Sequence, residues 1–115
     1  MPSSDEHVMK ALGVLEKNPE LSQRQLAKAL GVSLGKTHYI LNSLIDVGLV
    51  KVENFKRSDN KLGYAYLLTP RGFVEKARVT KEFLLRKQRE YKELERQISD
   101  LTKEVESMKS GARSR

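Results

Sequence analysis

The chain has 115 residues, no cysteine, and 22 Lys and Arg against 15 Asp and Glu, a formal net charge of +7. That length holds one small domain with an appendage, and the absence of cysteine excludes a disulfide framework and any thiolate metal site. The basic excess suits a polyanionic partner without identifying one.

No apolar run approaches a signal peptide or a membrane span, which makes the cytoplasm the expected location. His7 and His38 are too far apart in sequence to suggest a metal site, and neither metal nor cofactor is expected.

The first element is a helix that Ser4 can cap, with Asp5 and Glu6 in its first turn. Val8, Ala11, Leu12 and Leu15 share one face, and Asn18-Pro19 ends the run. Ser22 opens a second, shorter helix with Gln25 at the capping-box position and Leu26, Ala27 and Leu30 inward. Gly31 supplies a tight turn that needs positive φ. Ser33 then caps a third helix over about 33–47, with Thr37, Ile40, Leu41 and Leu44 as its buried stripe and Gly48 closing it.

From Leu49 the periodicity changes from helical to alternating. LVKVENF reads as a strand, KRSDNKLG as a polar turn and YAYLL as the returning strand. Tyr64 and Tyr66 alternate on one strand face with Phe55 across the hairpin, an arrangement that packs a wing against helices or offers a stacking platform for a base. Thr69 can cap a long last helix, with Pro70 in its first turn.

The order is helix, helix, turn, helix, hairpin, long helix. It predicts a mainly α (α+β) winged helix-turn-helix with a two-stranded wing and a long C-terminal coiled-coil helix. Residues 1–70 form the expected DNA-binding domain, 71–109 a dimerisation helix and 110–115 a disordered tail.

A helix-turn-helix needs small and apolar residues at fixed spacing, and the segment 21–50 supplies them. Ala27 lets two helices cross closely, Val32 plugs the turn and Leu44 leads to the exit. With its stripe buried, the third helix exposes Ser33, Gly35, Lys36, His38, Tyr39 and Asn42. The N-terminal part of such a helix enters the major groove. Lys36 suits guanine or phosphate, Asn42 suits adenine, and His38 and Tyr39 suit a phosphate or a base edge. Ser33 and Gly35 let a phosphate approach the helix N-terminus. Arg24 and Gln25 are candidate phosphate clamps, and Lys56, Arg57 and Lys61 surround the wing tip, where arginine favours the minor groove. No nucleophile–base pair, phosphate-cradling glycine loop or paired carboxylates emerge, so an enzyme is not expected.

From Phe73 to Met108 the apolar residues recur in steps of four and three, the period of a coiled-coil seam over about five heptads. Leu84, Tyr91, Leu94, Ile98, Leu101 and Val105 are the expected dimerisation residues, with Thr80 and Lys87 interrupting the seam. A rod of this kind has no core of its own. A second copy of the chain is the simplest partner, in parallel or antiparallel orientation.

The segments LSQRQLAKALGVSLGKTHYILNSLIDVGLVKVENFKRSDNKLGYAYLLTPRG and EKARVTKEFL resemble MarR-family winged-helix regulators, and are most like the short bacterial group associated with exopolysaccharide gene clusters. The wing, KRSDNKLGYAYLLTPRG, is the most specific part of the likeness. The resemblance implies a bacterial, sequence-specific transcriptional regulator that binds double-stranded DNA as a homodimer. It also implies Ser33, Gly35, Lys36, Tyr39 and Asn42 on the recognition helix, Arg57 on the wing and a link to exopolysaccharide genes. Larger members dimerise through helices at both ends and bind ligands between them. The short first helix and single long final helix speak against a similar pocket and leave any effector open. Two rival readings are an architectural, nucleoid-type DNA binder and a winged-helix and coiled-coil protein-interaction module.

Overall fold

The computed structural model describes residues 4–56, 59 and 61–113. Four helices and one hairpin follow in the order α1 (Ser4–Lys17), α2 (Gln23–Leu30), α3 (Leu34–Asp46), β1 (Val50–Lys56), β2 (Leu62–Leu68) and α4 (Pro70–Arg113). They divide into two compact units, Met1–Lys81 and Glu82–Arg115. Among the described residues no helix is long and apolar enough to cross a membrane.

The core of the first unit gathers the apolar stripes of three helices with the base of the hairpin. Ala11, Leu12 and Leu15 of α1 meet Leu26 and Leu30 of α2, Ile40, Leu41 and Leu44 of α3, and Leu49, Val50, Tyr66 and Leu68. Each fully buried Leu contributes about 1.5–3 kcal/mol of transfer free energy, so these side chains supply the main drive for folding. Thr37 is the one buried polar residue of the described core, and its hydroxyl donates to the Ser33 carbonyl at 2.9 Å.

The exits of α2 and α3 each use a left-handed glycine. Gly31 has φ 70° and Gly48 has φ 80°. At the end of α2, Val32 N–H donates to the Ala27 carbonyl and Gly31 N–H to that of Lys28. At the end of α3, Leu49 N–H donates to Leu44 and Gly48 N–H to Ile45. These are paired Schellman bonds, and they satisfy carbonyls that a helix end otherwise leaves bare.

The two strands pair antiparallel from Val50↔Leu68 to Lys56↔Leu62. Directly paired residues share a face, so Tyr66 lies with Val52 and Tyr64 with Asn54, while Phe55 pairs with Gly63 on the opposite face. The expected aromatic face therefore does not include Phe55. Tyr66 is buried and its N–H bonds the Pro19 carbonyl at 2.8 Å, but Tyr64, nearer the tip, is 61% exposed.

The start of α4 is fixed to the end of α3 by four neighbouring groups. Thr69 N–H donates to the Leu49 carbonyl at 3.0 Å, and its hydroxyl donates to the Gly48 carbonyl at 2.6 Å. The same hydroxyl oxygen accepts Gly72 N–H at 3.1 Å, which makes Thr69 the helix cap expected of it. Gly72 is buried so tightly here that a Cβ would stand 2.1 Å from the Leu49 carbonyl oxygen. In this unit α4 buries Gly72 and Val79, and Lys76 pairs with Glu16 of α1. Phe73, Ala77 and Thr80, the first members of the seam, are exposed instead.

The second unit consists of the α4 residues from Glu82 onward. Every side chain from Lys87 to Gly111 is exposed, including the whole later seam, from Val105 at 48% to Met108 at 64%. The helix continues to Arg113, so residues 110–113 extend it where a disordered tail was expected. Arg96 bridges Glu93 at 2.6 Å and Asp100 at 2.9 Å, and this contact holds the Glu93 carboxyl below its ordinary value. Lys87, expected to interrupt the seam, bonds Glu90 at 3.1 Å and lies 5.2 Å from the centre of the Phe83 ring.

Two glycine substitutions should move stability in opposite directions. Gly72→Ala must displace backbone at Leu49 and should lower stability by about 1–3 kcal/mol. Gly13→Ala meets nothing within 4 Å inside α1 and should raise it by about 0.5–1 kcal/mol. Equilibrium urea unfolding of the two variants measures both signs.

Candidate nucleic-acid interface

The exposed side of α3 is the largest assembly of the predicted site residues. Its N-cap is Ser33, whose hydroxyl accepts Lys36 N–H at 3.1 Å. That bond leaves Gly35 and Lys36 in the exposed first turn beside the positive end of the helix dipole. Tyr39 is 70% exposed. Its neighbour on the next turn, Ser43, donates its hydroxyl to the Tyr39 carbonyl at 2.8 Å. Leu34 is also exposed at the head of α3, a surface position the sequence pattern did not distinguish.

His38 and Asn42 lie one turn apart and are bonded to each other. Asn42 Nδ2 is 3.0 Å from His38 Nε2, and His38 Nδ1 is 3.3 Å from Oε1 of Gln23 on α2. Gln23 Nε2 in turn donates to the Tyr66 hydroxyl at 3.4 Å. An amide oxygen accepts only, so the Nδ1–H tautomer of His38 satisfies both contacts, with Nε2 accepting from Asn42. Sequence reasoning passed over Gln23 and chose the next residues, Arg24 and Gln25. Nothing near Gln23 in the sequence marks it, because its partner lies fifteen positions later.

Arg24 and Gln25 are exposed at the start of α2. Gln25 Oε1 is already engaged by Ser22 N–H at 2.9 Å, and Ser22 Oγ accepts Gln25 N–H at 3.1 Å, the reciprocal capping box. On the wing, Lys56 and Lys61 are exposed, and Lys61 N–H donates to Asp59 Oδ1 at 3.2 Å. Arg57 lies outside the described residues. The structure thus brings Ser33, Gly35, Lys36, His38, Tyr39 and Asn42 onto one short helix and places Lys56 and Lys61 on the hairpin.

Residues 4–51 match a family described as winged helix-turn-helix DNA-binding. The fold is a winged helix-turn-helix. A search among curated proteins finds no match to the sequence. Among solved structures, wild-type MarR from E. coli in its apo form aligns with a TM-score of 0.52 and 24% identity, over 64% of this chain and 53% of that one. The transcriptional repressor CouR, bound to a 23-mer DNA duplex, aligns with a TM-score of 0.50 and 25% identity, over 64% and 50%. Sso10a-2, a DNA-binding protein from Sulfolobus solfataricus, aligns with a TM-score of 0.60 and 17% identity, over 86% and 95%. The chain spans about half the length of MarR and CouR. The likeness to MarR is one of fold.

The winged helix-turn-helix depends on Ser33 to cap α3. Ser33→Ala should cost about 1 kcal/mol of stability and speed hydrogen exchange at the Lys36 amide, both measurable on the intact chain.

Proposed function

We propose that this protein is a sequence-specific, DNA-binding transcriptional regulator that acts as a homodimer in the cytoplasm. The observation that carries the reading is the division of α3. Its inner stripe is fully used in the core, while Lys36, Tyr39 and Asn42 stand together on a free outer face. The match of residues 4–51 to a winged helix-turn-helix DNA-binding family supports the same reading, as does the likeness to a repressor solved on DNA. In this account residues 1–70 read the duplex, with α3 in the major groove and Arg57, Lys56 and Lys61 on flanking phosphate or minor groove. Arg24 and Gln25 clamp the backbone at the head of α2.

Residues 71–109 dimerise. Leu84, Tyr91, Leu94, Ile98, Leu101 and Val105 form a seam that the single chain leaves exposed, and a coiled coil would bury it. Two copies would read a palindromic site with half-sites about one helical turn apart. The link to exopolysaccharide genes rests on the resemblance of the wing. An architectural, weakly selective binder is the second reading, and Sso10a-2, a DNA-binding protein, shares the fold.

Two variants test the two halves separately. Lys36→Ala with Arg57→Ala should reduce affinity for a duplex selected by the wild type at least tenfold at about 150 mM salt, with the dimer intact. Unchanged selection by that variant would refute the assignment of the readers. Leu94→Asp with Ile98→Asp should sediment as a monomer, and an unchanged dimer would place the interface elsewhere.

A further inference from the structure

We propose that Gln23 and His38 are positioning residues that turn the Asn42 carboxamide so that α3 selects adenine. The inference rests on the DNA-reading function proposed above and deepens it, since His38 becomes a support for a reader in place of a reader.

The chain of bonds begins at a fixed point. Tyr66 is buried in the core cluster, and its backbone is tied to Pro19. Its hydroxyl accepts from Gln23 Nε2, which leaves Gln23 Oε1 facing the His38 ring at 3.3 Å. This arrangement suits the Nδ1–H tautomer of His38, whose bare Nε2 accepts one Nδ2 hydrogen of Asn42 at 3.0 Å. Three elements contribute to this chain: β2, α2 and α3.

The consequence for base reading follows from the amide. With one Nδ2 hydrogen committed to His38, Asn42 retains a second Nδ2 hydrogen and its Oδ1. That pair of donor and acceptor matches adenine, whose N7 accepts and whose N6 amino group donates in the major groove. Guanine presents two acceptors there, N7 and O6, and O6 would meet Oδ1 with like polarity. A free Asn42 would turn its amide to suit either purine. The relay removes that choice.

The test uses the full-length protein and duplexes that differ only at the base pair made indifferent by Asn42→Ala. The wild type should prefer A·T over G·C there by about tenfold, within the discrimination a bidentate pair provides. His38→Phe and Gln23→Leu should each collapse the ratio to about twofold or less. Because His38 is exposed and Gln23 half-buried, both variants should fold, as a cooperative thermal unfolding transition like that of the wild type would confirm. A wild-type ratio preserved in both variants would overturn the proposal. So would a wild-type preference for guanine, which would mean that the relay runs in the opposite sense, with His38 donating to Oδ1. Binding by the wild type with no position sensitive to Asn42→Ala would defeat the relay alone. If the wild type binds no duplex, the DNA-reading function fails, and the relay with it.

Discussion

The contact on which the arrangement depends is the seating of Gly72 on the Leu49 carbonyl. The end of α3, the exit of the hairpin and the start of α4 all meet within a few residues of it. Leu49 N–H closes α3, its carbonyl receives Thr69 N–H, and Thr69 Oγ1 links Gly48 to Gly72. No side chain fits in that space, because any Cβ on residue 72 would overlap the carbonyl oxygen. The first turn of α4 is therefore seated on the end of α3 by backbone hydrogen bonds and one missing methyl group.

That junction also frees α3 for its outer role. Helix α3 is capped at one end by Ser33 and closed at the other by Gly48. Its inner stripe of Thr37, Ile40, Leu41 and Leu44 is consumed by the core. What remains outward is a set of donors and acceptors that the fold does not use for stability, apart from the relay through His38. Structure and proposed function thus draw on different faces of the same thirteen residues.

Much of this was legible in the sequence because it rests on local rules. The capping box at Ser22 and Gln25, the left-handed Gly31 and Gly48, and the buried stripe of α3 follow from residue type and spacing. Thr69 and Pro70 marked the start of α4 by the same logic. The features that escaped depend on contacts between distant segments. The sequence put Phe73, Ala77 and Thr80 in one seam, yet within the first unit the buried positions are Gly72 and Val79, because a glycine can approach Leu49 where a phenylalanine cannot. A glycine in the first turn of a helix was a hint of such a close approach. Phe55 was grouped with the tyrosines, but strand register alone decides which face it takes. Gln23 could be found only once α2 and α3 were placed side by side.

The central claim is that two copies of α3 read a defined sequence. Selection of bound duplexes from a random pool by the intact protein, at about physiological salt, tests it most directly. The account predicts enrichment of an inverted repeat whose half-sites are about one helical turn apart. Binding without any enriched sequence would contradict it in favour of an architectural role, and failure to bind at all would remove DNA from the account.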